Sequence, residues 1–98
     1  MTDSQAEFLR IFDSAIHREG ASSLRDYLIR SDFFRAPASI RYHCAFAGGL
    51  CEHSINVYKR LLENVQREYG ENWEKIVPHE TVAICGLLHD LCKIDFYK

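Results

Sequence analysis

The chain has 98 residues, of which 47% are hydrophobic, 27% charged and 12% aromatic, a balance that fits one folded domain with a modest core and excludes a disordered chain. A formal net charge of -2, from 12 basic and 14 acidic residues, gives no global attraction for nucleic acid or an anionic membrane, so any phosphate recognition must be local. The apolar runs fall far short of the roughly 20 residues that cross a bilayer, and the opening MTDSQAE lacks the apolar stretch of a signal peptide; the expected location is the cytoplasm, with no membrane partner.

In chain order, Phe8, Ile11, Phe12, Ala15 and Ile16 recur at helical spacing and predict a first helix over roughly Asp3 to Glu19, with Gly20 as its stop. Ser22 or Ser23 is suited to cap a short second helix carrying Leu24, Tyr27 and Leu28. Pro37 marks the stretch from Phe33 to Ser39 as loop or broken helix. Gly48 and Gly49 form a hinge before a long helix in which Leu50, Val57, Tyr58, Leu61, Leu62 and Val65 share a broad face, ending near Gly70, with His53 in its first turn. A short helix around Trp73 to Ile76 precedes Pro78. The segment HETVAICGLLHDL is apolar on nearly all sides and is expected to be a buried helix. No useful strand-like alternation and no repeat occur, so the fold class is all-α.

The chemistry-bearing residues cluster late. His89 and Asp90 follow the most apolar run, where an unpaired carboxylate would cost several kcal/mol or protonate. Lys93, an arginine from elsewhere, or a metal ion would each satisfy Asp90. His53 lies one helical step before Val57 and so leans toward the inward face, which lets two imidazoles and a carboxylate converge between two helices. That donor set suits a catalytic divalent ion with open positions for water and substrate. On residue chemistry alone, a satisfied polar pair and a metal site both stay open.

The segments RYHCAFAGGLCEHSINVYKRL, with His53, and LLHDLCK, with His89, Asp90 and Lys93, resemble the HD-domain superfamily of metal-dependent phosphohydrolases, and more narrowly its bacterial and phage-associated hydrolases. The likeness covers roughly residues 41–98. It implies a helical bundle of about four to five helices, with an N-terminal helical part over residues 1–40 and the motif-bearing segment over 41–98. It also implies His53, His89 and Asp90 as ligands of a divalent ion (Mn2+, Mg2+, Fe2+ or Zn2+), and hydrolysis of a phosphate ester of a nucleotide or nucleic-acid end. The family's fourth ligand, an aspartate on a later helix, has no counterpart; Asp95 is too close in sequence to Asp90 to serve. The chain therefore reads as the N-terminal part of such a domain. The alternative expectation is a truncated, inactive domain that acts as an interaction module or homo-oligomer through an uncovered apolar face, or is completed by another chain.

Lys93 and Arg41 are the candidate catalytic cations for stabilising phosphate charge, with ion pairing to Asp90 and a solvated surface position as their respective structural roles. His43 falls beside Arg41. Glu52 suits a helix start. His17 and His79 are expected to be structural and Trp73 a packed anchor. Arg25, Arg30, Arg35 and Arg41, interleaved with Tyr27, Phe33 and Phe34, form at most a thin nucleic-acid track, and a solvated face is the plainer reading. Cys44, Cys51, Cys85 and Cys92 lack the short spacing common in zinc sites and are expected to be small buried apolar residues.

Overall fold

The computed structural model describes residues 3–35 and 47–91, and these are all-helical. Five α-helices follow in order: α1 (Asp3–Ala15), α2 (Ala21–Arg30), α3 (Gly49–Tyr69), α4 (Trp73–Ile76) and α5 (His79–Leu87), with a single 3-10 turn at Gly70–Asn72 between α3 and α4. Helix α3 is the spine: α5 packs along it most extensively, and α1 lies against both.

The stripe on α1 behaves as its spacing predicts. Phe8, Leu9, Ile11, Phe12 and Ala15 are buried, and Phe8 sits at the centre of an aromatic cluster with Phe12, Phe33 and Phe34, its ring centroid 4.9 Å from Phe33 and 5.4 Å from Phe34. Leu28 of α2, Leu50 of α3 and Leu87 of α5 complete the core at zero exposure, each such side chain contributing roughly 1.5–3 kcal/mol by leaving water. Ser54 is the one buried polar side chain among the described residues, and its hydroxyl has no hydrogen-bond partner among them.

Three boundaries differ from the spacing. Helix α1 ends at Ala15, not near Glu19, because a carboxylate distant in sequence captures the next backbone group: the His17 N–H donates to Glu80 Oε2 at 2.6 Å and Arg18 Nε donates to Glu80 Oε1 at 2.8 Å. Gly20 does not stop α1 but stands at the N-cap of α2 with a left-handed φ of 90°, a conformation that glycine adopts without a Cβ penalty; Ser22 and Ser23 therefore lie inside α2 and do not cap it. His53 is in the second turn of α3, since that helix begins at Gly49.

Helix α5 is less enclosed than its uniform hydropathy suggests. Val82, Ala83, Gly86 and Leu87 are buried, but Ile84 and Leu88 are half-buried and Cys85 is exposed, because α1 and α3 cover only one side of it. Where α5 crosses α3 the backbones nearly touch: a Cβ added at Gly86 would lie 2.5 Å from Tyr58 Cα and 2.8 Å from Tyr58 Cβ. Only glycine permits that approach. No helix among the described residues is long and apolar enough to cross a membrane.

Candidate metal centre

The close crossing at Gly86 brings the far end of α5 against the start of α3. Helix α5 ends at Leu87, and the turn that follows, Leu88 to Asp90, carries His89 and Asp90 to the edge of the core, opposite His53. The expected burial of this pair is thus corrected: His53 and Asp90 are half-buried and His89 is more exposed, because the pair lies beyond the helix end and not within it.

The three side chains converge. His89 Nε2 is 2.9 Å from Asp90 Oδ2, His53 Nε2 is 3.4 Å from the same oxygen, and the two Nε2 atoms are 3.4 Å apart. The other ring nitrogen of His89 donates to the Gly86 carbonyl at 2.8 Å. A carbonyl oxygen only accepts, so in the neutral ring Nδ1 carries the proton and Nε2 presents its lone pair. That lone pair faces a carboxylate oxygen and a second imidazole nitrogen. The contact is satisfied by a proton on His53 Nε2 or by a metal ion shared among the three side chains.

The spacing fits the ion. Two ligands each about 2.1 Å from one ion and roughly 90–110° apart lie about 3.0–3.4 Å from each other, close to the separations observed. The donor chemistry, two imidazole nitrogens with one carboxylate oxygen, is that of Zn2+, Fe2+ or Mn2+ sites, and all three ligand atoms lie within 4.8 Å of one another. The Gly86 carbonyl, by accepting from Nδ1, fixes the tautomer in which His89 could bind an ion through Nε2. These residues can hold a divalent metal ion.

Other sequence candidates fall differently. Arg41, Lys93, His43 and Asp95, with Cys44 and Cys92, lie outside the described residues. Cys51 is buried, as expected, and burial pushes its thiol up to about 12, which opposes the thiolate that zinc ligation needs. Cys85 is exposed and departs from the buried reading. His79 is held by the Tyr58 hydroxyl in a 2.6 Å hydrogen bond and packs edge-on to the buried Trp73. Arg25 is paired with Asp13 at 2.7 Å, which with Asp26 nearby holds its guanidinium still more firmly protonated, and Arg30 donates to the Asp26 carbonyl; Arg25 and Arg30 thus belong to an exposed face of α2, while Phe33 and Phe34 are buried.

Two residues beside the trio, Asn56 and Arg60, fall within the first motif segment but are not singled out as site candidates by the sequence. A cavity of about 160 Å³ is lined by His53, Asn56, Val57 and Arg60; the spacing i, i+3, i+4, i+7 from His53 is the pattern that would have revealed Asn56 and Arg60. A larger cavity of about 420 Å³ lies between α1 and α2, but no member of the trio lines it and its arginines, Arg18 and Arg25, are engaged by Glu80 and Asp13.

Comparisons with protein-family models, with curated proteins and with solved structures found no match.

Proposed function

We propose that the chain carries the metal centre of an HD-type phosphohydrolase, which hydrolyses a phosphate ester of a nucleotide or nucleic-acid end. The observation that supports this reading best is the meeting of His53, His89 and Asp90, with the His89 lone pair turned by Gly86 toward a carboxylate. Bound there, a divalent ion supplies Lewis acidity, lowering the pKa of water and offsetting phosphate charge. Asp90 contributes the hard anionic oxygen and one negative charge, leaving the loaded site net positive toward a phosphate. His53 and His89 contribute neutral nitrogens from two separate helical segments, so the packing of α3 against α5 sets their separation. The partial exposure of the trio leaves substrate an approach from solvent. Arg41 and Lys93 remain the proposed charge-stabilising partners from the motif segments.

The test is metal content and hydrolysis together. The expected result is about one Mn2+ or Zn2+ bound per chain and metal-dependent release of phosphate from a panel of nucleotides and end-phosphorylated oligonucleotides. Both should vanish in His89→Ala and Asp90→Ala. A chain that binds none of the four candidate ions would overturn the reading.

A further inference from the structure

Beside the trio, α3 offers a second chemical group. Asn56, Val57 and Arg60 follow His53 on one face of the helix and share its cavity of about 160 Å³. Arg60 and Asn56 are exposed, Val57 half-buried. Among the described residues several cations are paired, Lys59 with Glu7 at 3.0 Å, Arg10 with Glu7 at 3.8 Å, Arg18 with Glu80 at 2.8 Å and Arg25 with Asp13 at 2.7 Å; Arg67 and Lys75, like Arg60, are in no such pair, but neither lines this cavity. Arg60 makes no ion pair or side-chain hydrogen bond among the described residues, although Lys59 beside it reaches an acid. A guanidinium that lines a cavity together with a metal-ligand candidate, and is left unneutralised by the fold, is suited to an anion arriving from solvent.

We propose that Arg60, assisted by Asn56, is the phosphate-binding side of this site and selects a terminal phosphomonoester; the proposal rests on the reading of the trio as a phosphohydrolase metal centre. Charge and size support it. A divalent ion with Asp90 carries a net single positive charge, and Arg60 adds a second, which matches a phosphomonoester dianion better than a singly charged diester. The guanidinium fork suits two phosphate oxygens, and the Asn56 amide has N–H groups to donate to another. The cavity is smaller than the roughly 300–1,000 Å³ of pockets that enclose a whole ligand. It has room for a phosphoryl group and the first atoms behind it, while the remainder of the substrate stays in solvent. In the hydrolysis, water oxygen bonds to phosphorus, the phosphorus–oxygen ester bond breaks, and the alcohol leaves with a proton from water. Arg60 holds the phosphoryl oxygens through this exchange.

The test uses the full chain, with Arg60→Ala and Arg60→Lys. Mn2+ binding is read by loss of the free-ion paramagnetic resonance signal, and inorganic phosphate binding by calorimetric titration of the metal-free and Mn2+-loaded protein. The expected result for Arg60→Ala is Mn2+ affinity within about twofold of wild type and phosphate affinity lowered roughly 10- to 100-fold, the loss expected for charged hydrogen bonds. Arg60→Lys should recover part of it. With p-nitrophenyl phosphate, KM should rise far more than kcat falls, and a bis(p-nitrophenyl) phosphate diester should be little affected. Equal phosphate affinity in Arg60→Ala and wild type overturns the proposal, as does absence of phosphate binding by the Mn2+-loaded wild type. If the wild-type chain binds no Mn2+, the metal-centre reading fails separately, and phosphate titration of the metal-free protein then decides the role of Arg60.

Discussion

Each end of α5 sets a histidine against α3, and the two ends are built on opposite rules. At the N-terminal end, His79 meets the Tyr58 hydroxyl at 2.6 Å and the edge of Trp73, while Glu80 accepts from the His17 N–H and from Arg18. Donors there find acceptors, and an acid finds a base. Beyond the C-terminal end, the His89 lone pair faces the Asp90 carboxylate, so acceptor meets acceptor, with His53 beside both. Complementary pairing makes a joint, which needs nothing further. Convergent imidazole and carboxylate atoms make a site, which can hold a cation.

The largest test of that contrast removes one member of the trio from the convergent end. His53→Ala, His89→Ala and Asp90→Ala should each lower divalent-metal affinity at least about 100-fold, beyond the 10- to 100-fold typical of losing a supporting group, while the melting temperature of the metal-free chain changes little. Equal metal affinity in Asp90→Ala would show the convergence to be a proton-sharing cluster. Next in size is Gly86→Ala, which acts on both ends through the helix crossing. The clash with Tyr58 should cost about 2–3 kcal/mol, lowering the melting temperature by roughly 8–20 °C, and weaken metal binding as well.

At the complementary end, Tyr58→Phe deletes the hydroxyl that holds His79. Burial raises the Tyr58 pKa above its ordinary value, so the hydroxyl stays protonated through neutral pH. Its loss should cost about 1 kcal/mol of stability and leave metal affinity unchanged; a metal defect in this variant would break the contrast. The smallest effect is a pH dependence. The His17 N–H first, and then Arg18, hold the Glu80 carboxyl below its ordinary value of 4.5. A depressed pKa in the folded state gives stability that is present above the unfolded value and lost as pH falls through the folded one. Melting temperatures of wild type and Glu80→Gln should therefore differ near pH 6 and converge toward pH 3.

Local patterns revealed much of this molecule. The stripe from Phe8 to Ile16, the glycines bounding α3 and the Trp73–Ile76 turn of helix all follow from spacing and propensity, and two short segments brought His53, His89 and Asp90 to notice. What escaped were effects of distant partners. Nothing near His17 announces that Glu80 will end α1, and nothing within AICGLL says that Tyr58 will press against Gly86. The exposure of Cys85 was illegible for the same reason, since a uniformly apolar helix does not disclose which of its sides a neighbour leaves open. Asn56 and Arg60 are not singled out in the sequence, and only the cavity beside His53 gives them a shared address.

Gly86 carries a warning for anyone who would make this protein more robust. Glycine inside a helix costs about 1 kcal/mol relative to alanine, so stabilisation by helix propensity would select this position among its first replacements. Yet the residue that keeps α5 close to α3 also supplies the carbonyl that orients His89. The gain in local helicity there would be outweighed by the clash with Tyr58, and the replacement would cost both the packing of the two helices and the alignment of His89 with Asp90 and His53.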